Sequence, residues 1–374
     1  MTEKKKRILY IHNTVTNYRV PYFNRLAELS DLTLALFQFS DNEKIYKDKS
    51  RISELKNCKI YTDLKAEQSE IEKRILEKQF DVIILPCLDD FTCYQVFNHF
   101  AKFKKYAKIS VAWEMWEPIK IDASLYKKLK KYGQRPFRKM ALKRIDFALS
   151  FSGESEKYLQ FLGVPASNIY GYWNAARVPE IKSELDLRKK IGIKEDEKIV
   201  LSLGRIIKRK GLDILLEAFA KIHEDNRIHL VIVGDGEELS TLKKQAKDLN
   251  LGTSVTFVGQ VEPELRGLYF SQANLFVIPS IIYKGFPEPW GLTVNEALQF
   301  SVPVVTTTAV GSSILVQDGK NGIIVQENDV NALSDGISIA SKMNKDKIVP
   351  LNYTPQNMAE IVYGIIVKKL SEDE

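Results

Sequence analysis

Short apolar segments alternate with longer segments of helical periodicity along almost the whole chain. In the first half the strand-like segments are 7–11, 32–39, 81–85, 108–112 and 146–151, and the helix-like segments are 20–29, 71–78 and 94–105. In the second half the strand-like segments are 198–203, 229–233, 254–258, 302–306 and the apolar run 275–280, which ends in a loop. The helix-like segments are 212–223, 237–249, 265–271 and a segment around Glu296. Such alternation is typical of βαβ units on a parallel sheet. The sequence therefore predicts an α/β fold.

A chain of 374 residues can hold two domains of ordinary size. We expect one Rossmann-like domain over residues 1–175 and a second over 176–350, with an irregular linker near 171–181. Thr354 and Pro355 predict the N-cap and first residue of a final helix over 351–374. Its apolar residues recur at helical spacing, so it must cover a surface.

Composition limits the class of protein. No apolar run approaches the roughly 18 residues that span a bilayer, and the start MTEKKKRILYIHN is unlike a signal peptide. Cys58, Cys87 and Cys93 have no metal-ligand spacing and suit a reducing compartment as core or surface thiols. The net charge of +7 is modest for this length, so only a local basic cluster would indicate an anionic partner. We expect a cytoplasmic protein.

The segment KGFPEPWGLTVNEALQF, residues 284–300, follows a predicted buried strand and leads into a helix. Gly291, Leu292 and Thr293 lie at the predicted first turn, where unpaired N–H groups and the helix dipole favour a phosphate. Glu288 and Glu296 bracket this turn, and a carboxylate can accept hydrogen bonds from two hydroxyls of a ribose or hexose. The alternative is that these glutamates only complement the helix dipole.

The string GFPEPWGLTVNEAL resembles the signature of the retaining glycosyltransferases of family four, which have the GT-B fold and carry two glutamates separated by seven residues here. This resemblance implies two Rossmann-like domains facing each other across a cleft. It also implies that Glu288 holds hydroxyls of the donor sugar and Glu296 the ribose. A final helix that crosses back to the N-terminal domain is a family feature, and docking on its own domain remains the alternative.

The segment 204–211, GRIIKRKG, resembles the family's Arg and Lys pair. The resemblance implies that Arg205 and Lys210, and with less support Arg209, bind the diphosphate of the donor. Without that context the segment would be an ordinary basic loop between a strand and a helix. No two aspartates of the chain are separated by one residue, so the metal-binding Asp-x-Asp pattern is absent and we expect no metal requirement and no cofactor.

Two further loops of the second half resemble the family. Gly234 begins a GDGE turn after a predicted strand, and Gln260 with Val261 lies in a loop that in the family contacts the nucleotide base. On their own, glycine and aspartate after a strand indicate only a turn.

The first half matches the family less closely. Residues 12–21, HNTVTNYRVP, have no glycine where many members have a pair, and Arg19 is a candidate for a donor or acceptor phosphate. Glu114, or less favourably Glu117, stands where members often have a histidine beside the reacting carbon. His12 and His99 are expected to be structural.

Residues 126–144, YKKLKKYGQRPFRKMALKR, interleave nine basic residues with Leu129, Phe137, Met140 and Leu142. Such a surface can rest on anionic lipid headgroups, and the alternative is a solvated helical face. Nucleic acid is not an expected partner, because no recognition motif accompanies the charge.

The resemblance implies a peripheral membrane glycosyltransferase that moves a hexose from a nucleotide-sugar donor, with a UDP-sugar favoured. The acceptor would be a glycan or lipid-linked sugar in surface polysaccharide synthesis. Two other classes stay open. One is a catalytically silent partner subunit that binds nucleotide or membrane, and the other is a nucleotide-sugar 2-epimerase.

Overall fold

The computed structural model describes residues 4–13, 15–37, 49–88, 91–114, 125–177, 180–181, 185–223 and 227–372. Contacts divide the chain into two compact units. The first unit contains Met1–Ala175 and Tyr353–Glu374, and the second contains Ala176–Asn352.

The first unit is built on a parallel sheet. Its strands are β1 (Arg7–His12), β2 (Asp31–Leu36), β3 (Lys59–Tyr61), β4 (Val82–Pro86), β5 (Lys108–Trp113), β6 (Phe147–Ser150) and β7 (Ile169–Gly171). Their spatial order is β3-β2-β1-β4-β5-β6-β7. The order reverses between β1 and β4, and ligands of open α/β sheets bind outside the carboxyl ends of the strands at such a point.

The helices of the first unit are α1 (Val20–Leu29), α2 (Leu64–Leu76), α3 (Phe91–Phe100), α4 (Leu125–Leu142) and α5 (Gly153–Phe161). All five residues of β4 are buried, as expected for a strand covered by helices on both faces. Helix α1 has the predicted bounds, whereas α2 begins seven residues before the predicted start. The reason is Asp63, whose carboxylate caps the backbone N–H groups of Lys65 and Ala66.

The second unit repeats this plan. Its strands are β8 (Lys198–Leu203), β9 (Ile228–Val233), β10 (Val255–Gly259), β11 (Leu275–Ile278), β12 (Val304–Thr307) and β13 (Gly322–Val325), in the order β10-β9-β8-β11-β12-β13. Its helices are α6 (Leu187–Ile191), α7 (Leu212–Ala220), α8 (Leu239–Asp248), α9 (Arg266–Gln272), α10 (Leu292–Gln299) and α11 (Val330–Ala340). Both sheets are parallel throughout the paired strands, so the predicted α/β class is confirmed.

The last helix, α12 (Pro355–Ser371), lies in the first unit and packs against α1. Thr354 caps it by accepting from the backbone N–H of Asn357. Met358, Val362 and Ile366 face inward, and Arg25 of α1 donates to Glu360 with Nη2 2.7 Å from Oε1. The docked face is therefore apolar, with an ion pair beside it.

In the described ranges no helix combines the length and the apolar character that a membrane crossing requires.

Candidate functional site

The second unit gathers charged side chains near Glu288. Oε2 of Glu288 lies 2.6 Å from Nη1 of Arg209 and 2.8 Å from Nζ of Lys210. Arg209 and Lys210 belong to a 3-10 turn that follows β8, and Arg209 also donates to the carbonyl of Pro287 at 3.0 Å. Glu288 itself is fixed by backbone hydrogen bonds to Ala309 and Gly311. The fold thus brings together two segments that the sequence presents as separate motifs.

This cluster is mostly enclosed, since 11% of the Glu288 side chain and 16% of the Lys210 side chain are exposed. Burial by itself would raise the pKa of Glu288, but Lys210 and then Arg209 outweigh it and hold the pKa below its usual range. The carboxylate is consequently ionised at neutral pH.

A pocket opens beside this cluster at the carboxyl ends of β8, β9 and β11. Its lining includes Gly204, Arg205, Lys210, Ile278 and Pro279. Since β8 lies next to both β9 and β11, the pocket stands at the point where the strand order reverses. Arg205 is exposed, so its guanidinium is open to a ligand. The carboxyl end of β8 thus has the location and the positive charge that suit a diphosphate.

Helix α10 begins beside Glu288 as the sequence predicts. Gly291 is its N-cap with φ of 91°, in the left-handed region that favours glycine. Leu292 and Thr293 form the first turn, whose N–H groups have no partner within a helix. Oγ1 of Thr293 is buried and has no hydrogen-bond partner in the part of the chain that the structure describes. The turn therefore offers several donors to an anion.

Gly234 has a structural reason to be glycine. Its φ is 140°, and an added Cβ would stand 1.9 Å from the carbonyl oxygen of Gly204. Its backbone N–H donates to Gly259 at 2.8 Å, just before the predicted base loop. In that loop Gln260 is exposed and Val261 is half-buried. Gly234 thus allows the loops after β8, β9 and β10 to approach each other.

Glu296 has a partner that sequence reasoning missed. Nη2 of Arg266, the first residue of α9, donates to Oε2 of Glu296. Only 10% of the Glu296 side chain is exposed. Burial raises the pKa of Glu296, and Arg266 opposes that rise only in part. Arg266 lies outside the segments that resemble the family. The sequence feature that could have drawn attention to it is its position shortly after Gln260 and Val261.

The first unit has its own charged cluster. Glu114 directly follows β5 and accepts from Nη2 of Arg19, and Nε2 of His12 at the end of β1 lies 3.7 Å from the same oxygen. The Glu114 side chain is 35% exposed, whereas Arg19 is 1% exposed. Although burial alone would raise the pKa of Glu114, Arg19 and then His12 lower it. Glu114 is an ionised group that is partly open to solvent.

Arg19, the candidate for a phosphate contact, lies in an enclosed position. Its guanidinium lies 4.6 Å from the ring centroid of Phe151, and the residue is 1% exposed. Its buried Nε and Nη1 have no hydrogen-bond partner among the described residues. Glu117 and Thr14, the other positions where this half departs from the family, lie outside the described residues.

For the basic segment 126–144, the structure corrects part of the expectation that its basic residues form one exposed surface. It lies mostly in α4, of which the structure describes the side chains from residue 133 onward. Arg135 and Arg138 do not belong to a solvated face, since they are 7% and 4% exposed. Arg138 donates to the carbonyl of Leu88 and to the hydroxyl of Tyr158, both at 3.0 Å. Phe137 and Met140 are 57% and 55% exposed beside Lys139.

Comparison with known proteins agrees with this description. Residues 183–352 match the family model described as Glycosyl transferases group 1. A stretch of 172 residues, 45% of this chain, is 35% identical to 38% of an alpha-monoglucosyldiacylglycerol synthase of Streptococcus pneumoniae. Half of this chain is 30% identical to 49% of the lipopolysaccharide core biosynthesis glycosyltransferase LpsE of Rhizobium meliloti. A GDP-mannose-dependent alpha-(1-6)-phosphatidylinositol monomannoside mannosyltransferase of Mycolicibacterium smegmatis is 30% identical, with 42% of each chain covered.

The fold is shared over the whole chain. Anabaena Alr3699/HepE in complex with UDP aligns with a TM-score of 0.68 over 98% of both chains at 16% identity. The protein thus has the two-unit α/β architecture of the GT-B glycosyltransferases. The match of residues 183–352 to the model of glycosyl transferases group 1 confirms the resemblance seen in the sequence. It spans less than half the length of each of the three relatives named above.

Proposed function

We propose that this protein is a glycosyltransferase that moves a hexose from a nucleotide diphosphate sugar to a glycan or lipid-linked acceptor. The observation that carries the proposal is the cluster of Glu288, Lys210 and Arg209 beside the first turn of α10. It combines a fixed acceptor for sugar hydroxyls with cations and N–H donors for a diphosphate. A nucleotide sugar needs both kinds of partner.

The roles of the side chains follow from their surroundings. Glu288 would hold hydroxyls of the donor sugar and Glu296 those of the ribose, while Gln260 and Val261 would contact the base. Arg205 and Lys210 would bind the diphosphate, together with the N–H groups of Leu292 and Thr293. An ammonium has three donors, so Lys210 can donate to Glu288 and to a phosphate oxygen at once.

We further propose that the reaction retains the configuration of the sugar and needs no divalent metal. When the bond from sugar to phosphate breaks, charge grows on the diphosphate, and prepositioned cations stabilise it in an enclosed site. Activity that EDTA abolishes and manganese restores would overturn the metal-free part. The anomeric configuration of the product, measured by NMR, would decide the stereochemical part.

The donor is proposed to be a UDP-sugar. HepE, which shares the fold, was crystallised with UDP, but one relative in sequence is GDP-mannose-dependent by name. The names of two relatives contain a glycolipid and that of another contains lipopolysaccharide, which supports a lipid-linked or surface-glycan acceptor. Peripheral membrane association at the cytoplasmic face is part of the proposal and rests on Phe137, Met140 and Lys139 of α4.

The first experiment is a thermal-shift screen with UDP, GDP, ADP, CMP, dTDP and their sugars. A ligand that binds only the folded protein raises its Tm by mass action. We expect one nucleoside diphosphate to raise Tm in the wild type and to fail with Glu296→Ala and Arg205→Ala. Transfer of labelled sugar to membrane lipid extracts would then identify the acceptor.

Other results would favour the other classes. If no nucleotide raises Tm, the proposal is wrong and a catalytically silent partner subunit takes its place. If the bound nucleotide sugar is epimerised without an acceptor, the protein is an epimerase.

A further inference from the structure

We propose that Arg266 is a positioning residue, which holds the Glu296 carboxylate in the orientation that receives the ribose diol of the donor. The inference deepens the proposed function and rests on it. Arg266 does not need to touch the nucleotide. Its task is to present Glu296.

The geometry joins two helices that are separate in sequence. Arg266 is the first residue of α9 and Glu296 lies within α10, and the ion pair between Nη2 and Oε2 bridges them. Arg266 is the partner that the hydrogen bonds and ion pairs of the described residues give to Glu296. Oε2 is thereby engaged, which fixes the plane of the carboxylate relative to the first turn of α10.

Among the described residues, Arg266 is the charged group that acts on Glu296. The elements with the most contacts to α10 are β11, β12 and the 3-10 turn Gly311–Leu315, and their residues are apolar, Gly, Ser or Thr. A buried carboxylate without a counter-charge tends to take up a proton. Arg266 therefore carries the whole electrostatic support of Glu296 within the described second unit.

Among the described residues, the observed position of the Arg266 guanidinium leaves one of its own donors unsatisfied. Its Nε is buried and has no hydrogen-bond partner in the described ranges, although a buried donor without a partner is costly. The side chain is 31% exposed, so part of it reaches solvent. The ion pair with Glu296 holds it in the observed rotamer.

Protonation of Glu296 would change what the site can bind. An ionised carboxylate is only an acceptor and can receive both hydroxyls of a ribose diol, whereas a protonated one has a donor in place of one acceptor. Burial already raises the pKa of Glu296 in the presence of Arg266. Without Arg266 the pKa rises further, so affinity for a ribonucleotide should fall as the pH is lowered through it.

The test compares the wild type with Arg266→Met and Arg266→Lys by calorimetry at about pH 6 and about pH 8.5. The probes are the nucleoside diphosphate that binds the wild type and its 2′,3′-dideoxy analogue. For Arg266→Met we expect about tenfold or more loss of affinity for the ribonucleotide at the lower pH, since one pKa unit corresponds to a factor of ten. We expect the affinity of Arg266→Met to recover at the higher pH, and Arg266→Lys to bind like the wild type. All three proteins should bind the dideoxy analogue equally.

A matched control places Arg266→Met in a Glu296→Gln background, where the pH dependence should vanish because the carboxyl group is gone. The inference is wrong if Arg266→Met binds like the wild type at both pH values. It is also wrong if the loss is equal for the dideoxy analogue, because Arg266 would then be merely structural. If the wild type binds no nucleoside diphosphate, the proposed function itself fails.

Discussion

Nζ of Lys210 lies 2.8 Å from Oε2 of Glu288, the same oxygen to which Nη1 of Arg209 donates at 2.6 Å. One carboxylate thus pairs with two cations, and the cluster keeps a net positive charge. An arriving diphosphate would share these cations with Glu288, and the two anions would repel each other. The cluster couples the subsite for the sugar to the subsite for the diphosphate.

Lys210→Met should weaken binding of the nucleoside diphosphate by about 10- to 100-fold, because a hydrogen bond to a charged group contributes about 1.5–3 kcal/mol. Calorimetry with the nucleotide found in the screen measures this. Lys208→Met is the matched control, since Lys208 is in the same turn but pairs with Asp213 at 2.7 Å. If both variants lose affinity equally, Lys210 does not bind the diphosphate directly.

Glu288→Gln should separate chemistry from nucleotide binding. The amide cannot hold the sugar hydroxyls as a carboxylate does, so we expect kcat to fall by about 100-fold or more. Binding of the nucleoside diphosphate without sugar should stay equal or become tighter, because Lys210 and Arg209 lose their competing anion. Steady-state kinetics and calorimetry measure the two effects. A variant with normal kcat would show that Glu288 only balances charge.

Glu114→Gln should destabilise the first unit, because it leaves the buried guanidinium of Arg19 without a counter-charge. Breaking a buried pair costs about 3–5 kcal/mol, and the 35% exposure of Glu114 reduces this to about 1–3 kcal/mol. Urea unfolding at neutral pH, followed with a probe in the first unit, measures the difference.

The same pair predicts a pH dependence. Because the pKa of Glu114 is lowered in the folded protein, its stabilisation is complete above the ordinary pKa of Glu and is lost as the pH falls through the lowered pKa. The difference in the free energy of unfolding between wild type and Glu114→Gln should therefore become smaller in acid. Glu154→Gln, which removes an exposed pair with Lys157 in the first unit, should change the free energy of unfolding little. If the difference for Glu114→Gln becomes larger in acid, the stabilising role of the Arg19–Glu114 ion pair is contradicted.

Phe137→Ser with Met140→Ser should abolish binding to anionic liposomes if α4 rests on the membrane, because these exposed side chains supply the apolar contact. Flotation at low salt is the measurement. Ile339→Ser with Val349→Ser is the control, since these residues are 55% and 84% exposed in the second unit. Wild-type protein that does not float with anionic liposomes would end the membrane proposal.

Local patterns in the sequence predicted much of the fold. The apolar spacing predicted α1 with its correct bounds, and Gly291 with the two residues after it marked the first turn of α10. Strands β3, β7 and β13 were missed because each has only three or four residues, too few for a periodic pattern. The helix predicted over 94–105 is instead α3, Phe91–Phe100, followed by a 3-10 turn, so terminal bounds were less accurate than the presence of an element.

The partners of the charged residues could not be predicted in the same way. Arg266 and Glu296 are 30 positions apart, and only the packing of α9 near α10 makes them a pair. Arg138 looked like one more cation on a basic helix, but its stem lies inside and its head donates to Leu88 and Tyr158. Burial of Arg19 likewise depends on Phe151 and Glu114, which are distant in sequence.

The docking of α12 on α1 has a consequence for how the chain is made. The surface of α1 that α12 covers is formed from the earliest part of the chain, but its cover comes from residues 355–371. A ribosome must therefore synthesise the whole second unit, Ala176–Asn352, before α12 can pack on α1 and complete the first unit. During that interval α1 presents an uncovered apolar face to chaperones and proteases, and the second unit can fold first although it is made later.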